Sequence, residues 1–179
     1  FHNCPSLKSV KLPKSLLSIG DYAFGYCPAL KSIDLPENLT SLRGDAFYGT
    51  SIKKLYIPKN VTDLYWIACE TLVTLEIHPD NPRYRCVGNC FIDMETKTLL
   101  QVFGKPTFPT DGSIEVFGEG VLWGNEEITE LIIPEGVNLT EGQLKSDAAA
   151  IAVGQKVTYS YELSVPVVEV PTTQAPTTQ

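Results

Sequence analysis

Cysteine and histidine are the residue types in this chain that could act as nucleophiles, metal ligands or disulfide partners. The 179 residues contain five cysteines and two histidines, His2 and His78. A Cys–His nucleophile pair needs an imidazole against a reactive thiol, and a structural zinc site needs two closely spaced ligand pairs. Cys86 and Cys90 form one Cys-x3-Cys pair with no second pair near it. We therefore expect no catalytic, metal or cofactor site, and no enzyme.

Three of the five cysteines occupy one position of a repeated segment, which indicates their role. They stand three residues before an apolar strand residue: Cys4, Cys27 and Cys69. Gly49 and Asn125 stand at the same place in two other segments. This equivalence favours a column of small packed residues. A Cys4–Cys27 disulfide stays open, since the spacing of neighbouring coils permits it but parallel side-chain directions disfavour it.

The repeated segment itself predicts the fold. One pattern occurs five times: an apolar residue, two variable residues, an apolar residue, one variable residue, an apolar residue and then proline. Its copies begin at Leu7, Leu30, Ile52, Leu72 and Ile128, and the fourth copy has His78 before its proline. Pro13, Pro36 and Pro58 are 23 and 22 residues apart, within the range of about 20–29 residues typical of leucine-rich repeats. A period this short predicts a leucine-rich-repeat solenoid, in which each unit is one coil and stacked coils share one core.

Alternation within each coil predicts a strand in a continuous parallel sheet. The inward pairs are Val10/Leu12, Ile33/Leu35, Leu55/Ile57, Leu75/Ile77 and Leu131/Ile133. The residues between them face outward, and proline ends each strand because it has no N–H for the ladder. A second apolar pair such as Leu16/Ile19 and a small–large pair such as Ala23-Phe24 complete a coil. The fourth coil is shortened, and Trp66 stands where alanine is expected.

An insertion interrupts the array over about residues 80–113, since Pro79 to Pro134 spans 55 residues, more than two periods. Its predicted strands are Tyr84–Val87, Cys90–Asp93 and Thr98–Phe103. Gly88-Asn89 between the first two is a two-residue turn signal. We predict a β-meander that protrudes between the fourth coil and the next. A diagonal Cys86–Cys90 disulfide across the turn stays open.

The chain divides into three predicted segments: a repeat array over residues 1–137, a C-terminal cap or the start of another module over 138–165, and a Pro/Thr-rich linker over 166–179. The middle segment is predicted to contain a helix over 141–153 and a strand over 157–165. Because Phe1 aligns with Phe24, the array starts in mid-repeat. We expect the chain to be a piece of a longer polypeptide.

The repeat resembles a known family. Leu16-Leu-Ser-Ile19-Gly20-Asp-Tyr-Ala23-Phe24-Gly-Tyr-Cys27 carries the pattern most completely and resembles the BspA-like leucine-rich repeats of bacterial surface antigens. The opening of the insertion, Asp80-Asn81-Pro82-Arg83-Tyr84, is also similar to one in that family. The resemblance covers about residues 1–137. It implies a β-rich, α/β-horseshoe-like solenoid in a secreted or cell-surface protein, and for some members adhesion, without identifying a ligand.

Charge, hydropathy and short motifs bear on nucleic-acid binding, membrane insertion and glycosylation. The net charge of −7 and pI near 4.8 disfavour nucleic acid as a partner, and no apolar run is long enough to insert into a membrane. Asn-x-Thr sequons occur at Asn38, Asn60 and Asn138. The first two share a repeat position two residues after proline, so the repeat consensus explains them better than glycosylation does.

The outward strand positions are the predicted functional surface. Four residues on it are the candidate partner-binding residues: Lys54, Tyr56, Glu76 and Ile132. An exposed aromatic residue on such a face favours a contact role, and Lys53 and Lys59 could add a charged rim. We predict a monomeric, non-enzymatic recognition or adhesion module, secreted or attached to the cell surface, that binds a host or bacterial surface protein or glycan. The alternative is a structural spacer that presents another domain.

Overall fold

Short strands dominate the fold. The structure, a computed structural model, describes residues 1–118, 120–121, 130–132, 138–139, 156–158 and 167–168. Within these ranges it has no α-helix, one 3-10 helix at Gly44–Phe47, and strands at β1 (Ser18–Ile19), β2 (Ser41–Leu42), β3 (Lys54–Ile57), β4 (Thr74–Ile77), β5 (Tyr84–Val87), β6 (Cys90–Asp93), β7 (Thr98–Val102), β8 (Val116–Phe117), β9 (Glu130–Ile132), β10 (Asn138–Leu139), β11 (Lys156–Thr158) and β12 (Val167–Val168). The described residues include no helix with the length and apolarity to cross a membrane.

The repeats stack as parallel coils, as their spacing predicts. β1 pairs with β2 in parallel, with Ile19 opposite Leu42, and Ser41 forms a parallel bridge to Asp63 in the third coil. β3 and β4 also pair in parallel, with Leu55 opposite Leu75. In both sets of pairings the hydrogen-bonded partners are one repeat apart, which confirms the solenoid.

The prediction of a continuous sheet through the first four coils is wrong. Only the third and fourth coils form regular strands at the predicted place, β3 and β4, and these make a two-stranded sheet. The segments around Val10 and Ile33 run without a strand ladder, although Ile33 is buried and Val10 packs against the core. Their outward residues are Ser, Lys and Asp, which are poorer strand formers than the Tyr56 and Thr74 of β3 and β4.

One apolar core runs through the coils. The phenylalanine of the small–large pair stacks between neighbours: the Phe1 and Phe24 ring centroids are 5.6 Å apart, and those of Phe24 and Phe47 are 5.9 Å apart. Ala46 has no exposed surface, so the small residue of the pair lies inside the turn. The alignment of Phe1 with Phe24 is therefore also a physical stack.

An asparagine two residues after the proline ties each coil to the one before it. The Asn38 amide donates to the Lys14 carbonyl oxygen at 2.9 Å, and that of Asn60 to the Glu37 oxygen at 2.8 Å. Asn81 holds the same repeat position after Pro79 but has no exposed surface. Its amide nitrogen donates to the carbonyls of Pro58 and Val61, and its side-chain oxygen accepts the N–H groups of Arg83 and Tyr84.

The insertion folds as three antiparallel strands, β5, β6 and β7, at the predicted positions. Gly88 and Asn89 both have positive φ angles, 55° and 65°, which is the backbone that a two-residue type I′ hairpin turn requires. β7 then pairs in parallel with β8, and β8 with β10, giving a five-stranded sheet.

The meander does not protrude; that expectation is wrong. Every residue of β6 is buried, because the sheet is covered on both faces. One side of the sheet joins the core of the coils through Tyr84, Phe91, Leu100 and Phe103. The other face forms a second core with β8 from Cys90, Ile92, Leu99, Val102, Ile114, Phe117 and Val121. The meander is therefore an inner layer at the end of the coil stack.

Side chains of the meander complete the backbone hydrogen bonds of the third and fourth coils. In the second coil the Leu42 N–H donates to the carbonyl of Asp63 in the next coil. The equivalent Leu64 N–H donates instead to the Tyr84 hydroxyl at 3.1 Å. The Gln101 side chain accepts from the Ile67 N–H and donates to the Ile67 carbonyl, both at 3.0 Å. Tyr84 and Gln101 thus stand in for a following coil.

The C-terminal strands differ from the predicted fifth coil. β9 pairs antiparallel with β11, which pairs antiparallel with β12, so β9 does not extend the β3–β4 sheet. The predicted helix over 141–153 lies outside the described residues, and the strand predicted over 157–165 is described only at Lys156–Thr158. β12 falls at the start of the predicted linker, and the three segment boundaries stay predictions.

The two cysteines of the meander lie on opposite faces of the sheet. Cys86 is opposite Phe91 in the register, whereas Cys90 is opposite Val87, and both thiols are free. Cys86 packs against the coil core and Cys90 lies in the second core. Burial raises the pKa of the Cys86 thiol to about 11 and that of Cys90 to about 12. A diagonal disulfide would need both side chains on one face.

We predict that Asn81→Ala destabilises the fold by about 3 kcal/mol, since it leaves the Val61 carbonyl and the N–H groups of Arg83 and Tyr84 unpaired around a buried position. Asn60→Ala is the matched control at the same repeat position: it removes one exposed hydrogen bond and should lower the free energy of unfolding by about 1 kcal/mol or less. Urea unfolding of both variants measures the difference. Equal losses would contradict the assignment of Asn81 as the junction between coils and meander.

The raised pKa values predict slow, pH-dependent alkylation of Cys86 and Cys90. Because the thiolate reacts and its fraction rises about tenfold per pH unit below the pKa, the native rates should still be climbing between pH 8 and pH 10. Peptide mass spectrometry after timed iodoacetamide treatment gives each rate, with the urea-unfolded chain as the reference. A native rate that levels off near pH 9 would contradict the burial of these thiols.

Candidate interaction surface

The outward face of β3 and β4 brings together three of the four predicted binding residues. Leu55 and Ile57 are buried, so alternation turns Lys54 and Tyr56 outward. In the register Tyr56 lies opposite Glu76. Tyr56 is 40% exposed.

An ion pair and an aromatic contact order this face. The Lys54 Nζ lies 2.7 Å from the Glu76 Oε1, a diagonal contact across the two strands. The Tyr56 ring lies edge-on to the His78 ring, with centroids 6.4 Å apart. Both members of the ion pair are about half exposed, so water screens the attraction and the pair positions the side chains more than it stabilises the fold.

Ile132, the fourth predicted residue, lies elsewhere. It belongs to β9, which is hydrogen-bonded to β11 and shares no sheet with β3. The sequence placed it in the outward column because its segment repeats the apolar spacing, and the antiparallel pairing of β9 removes that equivalence. The structure therefore does not join Ile132 to the other three residues.

Exposed lysines lie next to β3 in sequence and at the equivalent position of the first two coils. Lys53 precedes β3 and is exposed, and Lys8 and Lys31 hold the same repeat position in the first and second coils and are also exposed. Lys59 follows β3, and its Nζ is 3.9 Å from an Asp80 carboxylate oxygen. The predicted rim residues, Lys53 and Lys59, thus flank Tyr56 along the chain.

The cysteines of the coils fill packing positions, as predicted. Cys27 and Cys69 are buried and Cys4 is half-buried. The Cys27 thiol donates to the Phe1 carbonyl at 3.1 Å, and that of Cys69 to the Ile52 carbonyl at 3.4 Å. In the part of the chain that the structure describes, no three Cys, His, Asp or Glu side chains converge on a metal-sized site.

The sequon asparagines at Asn38 and Asn60 have a structural role. Each amide nitrogen, the atom that glycosylation would modify, donates to the preceding coil. The hydrogen bonds account for asparagine at this repeat position without a glycan, in agreement with the sequence interpretation. The side chain of Asn138 lies outside the described part of the structure.

Sequence reasoning missed an aromatic group on the turns that follow β1 and β2. His2, Tyr22, Tyr26 and Tyr48 pack edge to face, with ring centroids 5.2–6.2 Å apart between contacting pairs. We call these four residues the tyrosine cluster.

The signal for this cluster was available in the alignment of repeats counted from Phe1, Phe24 and Phe47, where Tyr26 stands at the position held by Asn3 and Gly49. Gly49 therefore corresponds to Tyr26 and not, as the sequence alignment had it, to Cys27. The buried Thr50, whose hydroxyl is 3.5 Å from the Cys69 sulfur, takes the cysteine position.

Comparison with solved structures supports the fold. The pneumococcal vaccine antigen PcpA superposes with a TM-score of 0.63 at 20% identity, over 75% of this chain and 36% of that one. A leucine-rich repeat protein from Eubacterium ventriosum gives 0.59 at 20% identity, over 78% and 45%. A leucine rich cell surface protein from Faecalibacterium prausnitzii gives 0.55 at 21% identity, over 78% and 42%. The chain thus spans less than half the length of these proteins.

Comparison of sequences adds the family. No curated protein matches the chain. A family described as "BspA type Leucine rich repeat region" matches residues 1–97 in 6 copies, which is more than half of the chain and includes the whole stack of coils and the first strands of the meander. The chain belongs to the BspA-type leucine-rich-repeat family.

Proposed function

We propose that this chain is a non-enzymatic recognition module of an exported bacterial protein, and that it binds a surface protein or glycan through the outward face of β3 and β4. The observation that carries the proposal is Tyr56, a 40% exposed aromatic residue on a strand whose alternate residues, Leu55 and Ile57, are buried. The ring projects from a backbone that the core holds in place.

A rigid exposed ring suits recognition. A partner that covers Tyr56 gains apolar contact area with little loss of side-chain freedom, because tyrosine has few rotatable bonds and its strand is anchored. Lys54 and Glu76 beside it are already paired, so they add polar contacts at the rim. The hydroxyl, ammonium and carboxylate groups together match the mixed polarity of a protein or glycan surface.

The chemistry of the described residues favours binding over catalysis. Cys86 and Cys90 are poor nucleophiles because burial raises the pKa of each thiol. His78 accepts a hydrogen bond at Nδ1 from the backbone N–H of Asp80 at 3.1 Å, a local turn contact. The two thiols and the His78 ring thus have structural roles, and we infer that the exposed side chains contact the partner.

An extracellular location is part of the same proposal. One similar structure is described as a leucine rich cell surface protein and another as a vaccine antigen, and we infer that this chain also works outside the cell. The net charge of −7 disfavours nucleic acid as the partner. The module is proposed to act as a monomer.

Tyr56→Ala is predicted to weaken binding to any partner found in the screen by about tenfold or more. It should cost about 1 kcal/mol or less of stability, because it removes a strand-forming residue and its contact with the His78 ring. The 179-residue chain is screened by surface plasmon resonance against extracellular matrix proteins and mucins. Tyr65→Ala is the matched control because Tyr65 is 74% exposed and lies on the segment between β3 and β4, outside both strands.

Two outcomes would remove parts of the proposal. Unchanged affinity in the Tyr56→Ala variant would exclude this face as the contact surface. Absence of binding across the whole panel would favour the spacer function, in which the coils hold another domain at a distance and need no ligand of their own.

A further inference from the structure

We propose that the tyrosine cluster is a second binding surface, separate from the β3–β4 face, and that it takes the lysine or arginine side chains of a basic polypeptide segment. Tyr22 is 40% exposed and Tyr26 is 48% exposed. His2 is also exposed, and Tyr48 is half-buried beside them. These partly exposed rings lie at the turns between coils.

The backbone at Tyr26 indicates that the fold does not select this residue. Its φ angle is 56°, and φ is 58° at Asn3 and 67° at Gly49, the equivalent positions one coil away on either side. The turn needs the left-handed conformation, which glycine and asparagine adopt readily and which is strained for a bulky side chain. Tyr22 is left-handed as well, with φ 53°. Strain of this kind clusters at functional positions.

The turn itself explains why the left-handed residue recurs. The N–H of Asn3 donates to the Gly25 carbonyl at 2.8 Å, and the N–H of Tyr26 donates to the Tyr48 carbonyl at 2.7 Å. These bonds involve only the backbone, so the turn would form with any residue that tolerates the conformation. The exposed tyrosine ring is therefore additional to what the turn requires.

The rings are arranged to offer π faces. The Tyr26 and Tyr48 planes meet at 77°, and the His2 and Tyr26 planes at 84°. In edge-to-face packing one ring directs its edge at its neighbour and leaves a face open. A cation binds over such a face, attracted by the ring quadrupole.

The charges around the cluster select a cation over an anion. Glu70 is exposed, and one of its carboxylate oxygens accepts the N–H of Gly49 at 3.3 Å, replacing the carbonyl that a full-length fourth coil would supply. Glu70 lies close enough to contribute to the raised pKa of Tyr48, after a larger contribution from Tyr26. Asp21 and Asp45 lie on the same turns.

The same turns lack positive charge. No lysine or arginine occurs in residues 20–28, 44–51 or 66–71, whereas lysines accumulate on the strand segments at 8, 11, 31, 53 and 54. The charged side chains on these turns are therefore carboxylates, while the cations nearest to them in sequence are the Phe1 α-ammonium beside His2 and the exposed Arg43 before the second turn. This distribution is complementary to a basic peptide and repels an acidic glycan, which would be better matched by the lysines of the strand segments.

The probe is a fluorescein-labelled (Gly-Arg)4 peptide, and its reference is the peptide with citrulline in place of arginine, which keeps the shape and removes the charge. Fluorescence anisotropy of the 179-residue chain should show binding of the first and at least about tenfold weaker binding of the second. Tyr26→Gly should weaken binding of the arginine peptide by about threefold to tenfold. Its unfolding midpoint should stay close to that of the wild type, since glycine relieves the left-handed strain.

Control variants separate this surface from general charge attraction. Asp34→Asn removes an exposed carboxylate from a strand segment and should leave the affinity unchanged, whereas Glu70→Gln should lower it. Tyr56→Ala should also leave it unchanged, so failure of the β3–β4 proposal is distinguishable from failure here. Tyr26→Asn, the residue type at Asn3, repeats the test if the glycine variant is unstable.

Three results would overturn the proposal. Equal binding of the arginine and citrulline peptides would show that charge is not recognised. Equal affinity in the Tyr26→Gly and wild-type chains would show that the net negative charge alone attracts the peptide. Tyr26-dependent binding of neutral oligosaccharides, with no binding of the arginine peptide, would identify the cluster as a glycan platform.

Discussion

Each coil of this protein depends on its neighbour for an apolar interior and for backbone hydrogen-bond partners. A repeat of 22 or 23 residues has too little apolar surface to bury by itself, so stability arises between coils. This dependence creates a problem where the stack ends, because the last coil presents an open apolar edge and unpaired N–H and carbonyl groups. The meander is the solution at the fourth coil: its apolar face continues the core, and the Tyr84 and Gln101 side chains occupy the hydrogen-bonding positions that a further coil would fill.

The parts of this arrangement that are periodic could be predicted from the sequence. The spacing of Pro13, Pro36 and Pro58 determines which residues are neighbours, and the stacked rings of Phe1, Phe24 and Phe47 follow from it. The positions of β5 and β6 follow from the Gly88-Asn89 turn between them. These predictions succeed because they depend on local spacing, which sequence reports directly.

The parts that depend on contacts across the fold were missed. The meander was expected to protrude, although two adjacent apolar residues, Leu99 and Leu100, are a mark of a strand buried on both faces. Ile132 fits the repeat spacing, yet β9 pairs antiparallel with β11, which spacing cannot reveal. The tyrosine cluster was missed because the repeats were aligned on their strand residues, which placed Gly49 at the cysteine position and hid its equivalence to Tyr26.

Under the proposed functions, stability and recognition depend on different positions of the repeat. Inward residues such as Leu55 are fixed by packing, whereas outward and turn residues are free to vary from coil to coil without loss of the fold. Tyr56 and Tyr26 are two such variations: one on a strand, beside a lysine and a glutamate, and one on a turn bordered by carboxylates. A solenoid thereby offers separate surfaces of different charge on one scaffold, which suits a module that contacts more than one kind of partner.

Native-state amide hydrogen exchange at Leu64 and Ile67 tests the central claim most directly, because their N–H groups donate to the Tyr84 hydroxyl and the Gln101 side chain rather than to another coil. If the meander completes the stack, both amides should be protected to the same degree as the Leu42 and Val73 amides, which donate to carbonyls in adjacent coils, and all four should open with the free energy of global unfolding. Rapid exchange at Leu64 and Ile67 with protection retained at Leu42 and Val73 would contradict the account.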